Sequence, residues 1–396
     1  MKTMFTLFLL LCALFSFSAG QGNKLNFIAY NLGMDSLGFG LNAVPDGQGG
    51  VTALTVGTDG NVYGATSATV KKTPYLIQFK RTSALVKGVA ALDTKIKGQT
   101  RCNNALAAGG DGFIYGGSSV YEDSIFVRLK DWMDPRYEGG RLFRFKEGDS
   151  IAIEDLGVVL AKEGVRTLAV DGERQKIYGL TEPSYKFFIY DLKQKKLTVK
   201  PDTVFKEEEV LSRDIRLGEL GKALVVAADG KVYGSASAGK LFCYSPDNDK
   251  IKITDIKIPC TPDHQRTVSV SAWTQAPDGT IYGGTYIDGV LFRFDPVTGK
   301  IWNLGKPAMT AFIRSLVVTA DGTVCGVVGS KEDVPTVFKY RDGVYETVDF
   351  PMIPILRATY NCYANDLGPV VYLAKDGVLL FGGQGRIGKV IACYNN

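Results

Sequence analysis

The stretch GKALVVAADGKVYG, residues 221–234, carries the pattern on which the fold turns: a short apolar run, Asp-Gly, two residues, then Tyr-Gly. The same phrase recurs as VTALTVGTDGNVYG from Val51, NNALAAGGDGFIYG from Asn103, SAWTQAPDGTIYG from Ser271 and SLVVTADGTVCG from Ser315. Looser copies, VRTLAVDGERQKIYG from Val165 and PVVYLAKDGVLLFG from Pro369, bring the set to seven. Self-similarity at a spacing of about 43 to 60 residues marks a repeat architecture whose units bury their faces against one another.

Each unit reads as a run of strands. The apolar segment before Asp-Gly is one strand and the Tyr-Gly segment its hairpin partner, joined by a turn that Asp-Gly favours. A third strand alternates apolar and aromatic residues, as in RLFRF from Arg141, KLFCY from Lys240 and VLFRF from Val290. A fourth closes most units, as in IKITDIKI from Ile251 and IWNLG from Ile301. Four antiparallel strands in each of seven units predict an all-β, seven-bladed β-propeller. The last unit ends at its third strand, KVIACY from Lys389, and the missing fourth is supplied by residues 24–33, KLNFIAYNLG. That strand is expected to complete the last blade and close the ring.

Composition fits this reading. The chain of 396 residues is 45% hydrophobic, with 46 glycines and one histidine, a profile of many tight turns around a large core. Lys2, the apolar run from Met4 to Phe17 and Ser18-Ala19-Gly20 have the form of a secretory signal, so residues 1–20 are read as a leader and 21–396 as a single domain, secreted or periplasmic. No other stretch is apolar enough to span a membrane. Export would place Cys102, Cys243, Cys260, Cys325, Cys362 and Cys393 where disulfides are permitted; six cysteines allow fifteen pairings and the sequence does not decide among them, with Cys243 and Cys260, inside one repeat, the best candidates. Cys325 stands where five copies have tyrosine and is expected to be a buried thiol. With 46 basic and 41 acidic residues, the net charge of +5 does not point to nucleic acid.

The units resemble those of secreted propellers of the gluconolactonase-like, NHL-type and polysaccharide-lyase-type superfamily. The resemblance covers nearly all of residues 21–396 and lies in blade grammar, without a catalytic motif. The Gly-His and Trp-Asp marks of WD40 blades are absent. The resemblance implies a ligand site on the face where the innermost strands enter the channel. The Asp-Gly turns fall on the opposite face and read as turn formers, and the tyrosines of Tyr-Gly as packing between blades.

On the entry face, Arg101, Arg166, Arg266, Arg314 and Arg357 stand at or before innermost strands, as guanidinium groups suited to carboxylate or sulfate. His264 lies two residues before Arg266 and is the natural proton acceptor. An insertion in blade two, residues 118–140, offers Tyr121, Trp132, Arg136 and Tyr137 for sugar stacking or anion binding, and the segment before the last blade adds Tyr360, Asn361 and Tyr363. These parts point to an acidic, uronate-type glycan. Arginines would hold its carboxylate, and His264, Tyr360 or Tyr363 would remove the neighbouring carbon-bound proton for β-elimination. A second reading is a non-catalytic module binding a glycan or a protein. A third is lactone hydrolysis on a divalent metal drawn from Glu163, Asp214, Asp263 and Asn361. No metal set is assigned, and no cofactor is specified by the sequence.

Overall fold

The computed structural model describes residues 27–32, 44–45, 48–68, 72–80, 83, 85–102, 105–120, 136–206, 223–310, 312–329, 336–348, 367–373, 377–383 and 390–395. These residues fold as an all-β propeller with four-stranded antiparallel blades. Seven such sheets are present. Sheet one comprises Gln48–Val56, Val62–Ala68, Tyr75–Lys80 and Leu85–Ala91. Sheet two comprises Leu106–Ala108, Phe113–Gly117, Arg141–Lys146 and Glu154–Val158. Sheet three comprises Gly164–Asp171, Lys176–Glu182, Lys186–Asp191 and Lys196–Thr203. Sheet four comprises Leu224–Val226, Val232–Ala236, Lys240–Ser245 and Lys250–Lys257. Sheet five comprises Ser269–Gln275, Ile281–Tyr286, Leu291–Asp295 and Lys300–Gly305. Sheet six comprises Ile313–Val318, Val324–Val328, Thr336–Arg341 and Val344–Val348. Sheet seven takes Leu367–Leu373, Val378–Gly383 and Val390–Asn395 from the C-terminal part and Phe27–Asn31 from the N-terminal part. In that sheet Phe27 stands opposite Tyr394 and Asn31 opposite Val390.

The repeated phrase has a physical reason at each position. The aspartate of Asp-Gly accepts a hydrogen bond from the backbone N–H two residues on, in Asp59–Asn61, Asp111–Phe113, Asp229–Lys231, Asp278–Thr280 and Asp321–Thr323. Its glycine takes the left-handed conformation, with φ of 78° at Gly60 and 86° at Gly322. The tyrosine reaches back to the same turn, Tyr63 donating to Asp59 at 2.8 Å and Tyr115 to Asp111 at 2.7 Å. Its ring packs against the next sheet, as in the tilted Tyr63–Phe145 pair at 5.8 Å and the edge-on Tyr233–Phe294 pair at 5.0 Å. The following glycine is required because the central aromatic of the third strand lies over it. A Cβ on Gly116 would fall 2.2 Å from the Phe143 ring, and one on Gly283 would fall 2.1 Å from Phe292.

The core is divided among the interfaces between neighbouring sheets. Tyr178, Phe187, Phe242 and Tyr244 pack between sheets three and four, and Leu291, Ile313, Val324 and Phe338 between sheets five and six. Leu54 and Ile77 of sheet one join Val371 and Leu380 of sheet seven, together with Leu32 and Val44 from the N-terminal region. Each buried aromatic or branched aliphatic side chain contributes about 1.5–3 kcal/mol, so the propeller is stabilised by contacts between blades as much as within them.

The candidate Cys243–Cys260 disulfide is not formed. Both are free thiols, as are Cys102 and Cys325. Cys243 sits within a strand, opposite Tyr233 and Lys252, three residues from the Lys240–Lys257 pair that ends the ladder. At about 3.3 Å per strand residue, this leaves roughly 10 Å to the Cys260 end, beyond the reach of a disulfide. Cys325 is buried, as expected, and burial pushes its thiol up to about 12. Cys362 and the Cys393 side chain lie outside the described residues.

Candidate functional site

The innermost strands carry a recurring irregularity near their starts. Register shifts between Val51 and Ala53, Val165 and Thr167, Val270 and Ala272, and Ile313 and Ser315 leave Thr52, Arg166, Ser271 and Arg314 as bulge residues. A bulge turns a side chain out of the ladder's alternation. Two of the four stitch neighbouring blades: Thr52 Oγ1 donates to the Cys102 carbonyl at 2.9 Å, and Ser271 Oγ donates to the Ile313 carbonyl. The other two place a guanidinium at the same point.

Of the four sequence candidates among the described residues, Arg166 and Arg314 share this position. Arg166 is buried, with Nη1 3.4 Å from the equally buried Glu182 Oε2. A guanidinium held beside a carboxylate on its own sheet is placed within blade three. Arg314 is half-buried, donates from Nε to the Gly329 carbonyl at 2.8 Å, and lies with Cζ 5.3 Å from the centre of the Phe312 ring. Arg266 is exposed three residues before its strand, where the bulge position is held by Ser271. Arg101 is half-buried and bridges to Ser119. Arg357, Tyr360, Asn361, Tyr363, Tyr121, Trp132 and Asp214 lie outside the described residues. Of the insertion's other candidates, Arg136 is exposed, whereas Tyr137 is buried against Val120.

His264 is held in a way the sequence did not reveal. Its Nδ1 lies 2.9 Å from Asp288 Oδ1 and 3.1 Å from Thr261 Oγ1. Asp288 comes from the connection between the second and third strands of sheet five, and its side chain is only 3% exposed. The Thr261 N–H donates to Asp288 Oδ2 at 2.9 Å and the Thr261 hydroxyl to Oδ1 at 3.1 Å. Burial alone would push this carboxyl up. The Thr261 N–H and the His264 ring outweigh that effect and hold Asp288 below the usual carboxylate range. An ionised carboxylate beside Nδ1 fixes the proton there and leaves Nε2 as the basic nitrogen, on a side chain that is 41% exposed.

Contacts run from this dyad across to sheet six. Lys306 Nζ stands 3.9 Å from Asp288 Oδ1. Gly289 lies so close to the Thr310 carbonyl that a Cβ there would be 2.6 Å away. The Tyr286 and Phe312 rings pack at 5.3 Å, and Phe312 in turn carries the Arg314 guanidinium. Asp288 thus joins His264 to Lys306, and Tyr286 and Phe312 link sheet five to Arg314 of sheet six. Asp288, Thr261 and Lys306 had no sequence signal, since Asp288 lies 24 residues from its histidine and outside the repeated phrase.

Of the four candidate metal ligands, only Glu163 and Asp263 are among the described residues. Glu163 Oε2 accepts hydrogen bonds from the Thr181 hydroxyl and, at 2.6 Å, from the Ser184 hydroxyl, while Asp263 is exposed. Among the described residues no group of three His, Cys, Asp or Glu side chains is placed to hold one metal ion. No helix among them is long and apolar enough to cross a membrane.

The architecture defines a β-propeller, and comparison with known proteins agrees at that level. A catalytically inactive variant of virginiamycin B lyase from Staphylococcus aureus, solved with quinupristin, is similar with a TM-score of 0.63 and 12% identity, over 94% of this chain and all of that one. A streptogramin B lyase gives 0.61 and 11%, over 94% of this chain and 97% of the other. A structure of WD40 repeats gives 0.56 and 11%, over 87% and 94%. At these identities the likeness establishes the fold. No family model and no curated protein matches the chain.

Proposed function

We propose that this chain is an exported propeller, with residues 1–20 as its leader, that binds an anionic, uronate-type carbohydrate at the junction of sheets five and six and cleaves it by β-elimination. The observation that carries this reading is the His264–Asp288 pair: a buried carboxylate fixing an otherwise accessible imidazole is the arrangement a general base needs. Lys306 and Arg314 would neutralise the substrate carboxylate, stabilising negative charge as the adjacent C–H proton passes to His264 Nε2. The electron pair then forms the ring double bond, the glycosidic C–O bond breaks, and the leaving oxygen takes a proton from the imidazolium or water. Asp288 stabilises the imidazolium meanwhile. That the same fold carries lyases in other proteins supports the reaction class.

Incubation with a panel of uronate polysaccharides tests this directly, since elimination leaves an unsaturated product that absorbs in the ultraviolet. His264→Ala should lower its appearance by about 10²–10⁴-fold, the usual worth of a general base. A panel without product, or product formation untouched by His264→Ala and Asp288→Asn, overturns the proposal. The burial of Arg166 against Glu182 reduces the cationic set and favours a second reading, a non-catalytic module for glycan or protein. Salt-sensitive binding without turnover is its signature.

We further propose that the functional unit is a closed ring of seven blades sealed by residues 27–31. The sheet order and the shared core of sheets seven and one support it.

A further inference from the structure

A cavity of about 480 Å³ opens on the opposite face, where the innermost strands of sheets two, three, four and five reach their Asp-Gly turns. Its walls are small, with Gly109, Gly110 and Ala227 among them, and Gln275 reaches it from sheet five. The volume is within the range of small-molecule sites.

Sheet three alters the repeated phrase at this point. Its turn, Asp171-Gly172-Glu173-Arg174-Gln175, belongs to a copy with three residues more between the glycine and the following tyrosine than the copies that end in Tyr-Gly after two residues, and it forms one lip of the cavity. Arg174 is tethered there. Its Nη1 meets Asp171 Oδ2 at 3.3 Å, its Nη2 donates to the Asp229 carbonyl at 3.0 Å, and its backbone N–H donates to Asp171 Oδ1 at 2.9 Å. The Asp171 side chain is 5% exposed whereas that of Arg174 is 34% exposed, so the carboxylate lies beneath the guanidinium. The guanidinium rests on Gly230, where a Cβ would come within 2.1 Å of Cζ. Two of the five N–H donors are thereby used and three remain. The neighbouring Glu173 also lines the cavity and is exposed.

Asp171 lines the cavity as well and is paired with Arg174, so a fixed guanidinium with donors to spare and the further carboxylate of Glu173 oppose ligands of a single sign. A bare anion meets Glu173 and a bare cation meets Arg174. A ligand carrying both charges at short separation is matched by both. We infer that this mouth of the channel binds a small zwitterion, a free amino acid or dipeptide, through Arg174 to its carboxylate and Glu173 to its ammonium. The site is separate from the His264 region and does not depend on the reaction proposed there.

Titration calorimetry of the full chain with alanyl-glutamine, with acetate and ethylammonium as single-charge controls, tests the inference. The dipeptide should bind at millimolar or lower concentration and each control at least tenfold more weakly. Arg174→Ala and Glu173→Gln should each weaken dipeptide binding at least tenfold, and Arg174→Lys should restore only part, because the fork is lost while the charge remains. Gly230→Ala should give the same loss by displacing the guanidinium at unchanged net charge. Circular dichroism of each variant separates loss of site from loss of fold. His264→Ala should leave the binding unchanged, which keeps this result distinct from the lyase assay. No heat with the dipeptide, acetate binding as tightly as the dipeptide, or full binding in a folded Arg174→Ala would overturn it.

Discussion

Replacing Arg166 with methionine should destabilise the propeller far more than a surface arginine would. The guanidinium and Glu182 lie 3.4 Å apart with side-chain exposures of 6% and 4%. At that separation and an effective dielectric constant of about 20, the Coulomb attraction is about 5 kcal/mol. Much of it offsets the cost of taking two charges out of water, so the pair adds little over an apolar pair of similar volume. Removing one member alone leaves the other charge buried without its counter-charge, and such changes cost about 3–5 kcal/mol. Urea unfolding of Arg166→Met should show a loss of that size, whereas Arg166→Met combined with Glu182→Met should return to within about 1.5 kcal/mol of the parent. A single variant costing under about 1 kcal/mol, or a double variant as unstable as the single, would refute the reading of Arg166 as a core residue.

Other consequences are accessible to simple measurements. Gly283→Ala drives a methyl into the Phe292 ring and should lower stability by about 1–3 kcal/mol in the same urea assay, while its exposed counterpart Gly343→Ala should show only the smaller backbone strain of its positive φ. Alkylation in denaturant without reductant, followed by mass mapping, should label Cys102, Cys243, Cys260 and Cys325 in full, and a Cys243–Cys260 cross-linked peptide would contradict the structure. The lowered pKa of Asp288 gives stability that is present above the ordinary carboxylate range and is lost as pH falls through the folded-state value. Acid titration of the melting temperature should therefore be shallower for Asp288→Asn than for the parent, and identical slopes would count against the His264–Asp288–Thr261 arrangement.

The repeated phrase was legible because its constraints are local. An aspartate that closes its own turn, a glycine at positive φ and a glycine beneath the central Phe of the third strand each fix a residue type at a fixed offset, so the pattern recurs seven times. The candidate site was only partly legible, because its defining contacts cross elements. Arg166 and Arg314 align within the repeats, but nothing in sequence distinguishes a guanidinium sealed by Glu182 from one lying on Phe312. Arg266 resembles them in standing close before a strand, although the bulge in sheet five is held by Ser271. His264 could be singled out as the one histidine, yet its partner arrives from another connection. Tyr137 packs with Val120, a contact that no sequence pattern marks. Cys243 and Cys260 were close in sequence, but strand register set them apart.

Closure of the ring is tested most directly by cross-linking the strand that joins the two ends of the chain. Ala29 stands opposite Ala392 in the antiparallel ladder of sheet seven. Cysteines introduced as Ala29→Cys and Ala392→Cys, in a chain also carrying Cys393→Ala, should form an intramolecular disulfide on mild oxidation and raise the melting temperature. If the two thiols stay free or pair only between molecules, the N-terminal strand does not seal the propeller and the closed ring is wrong.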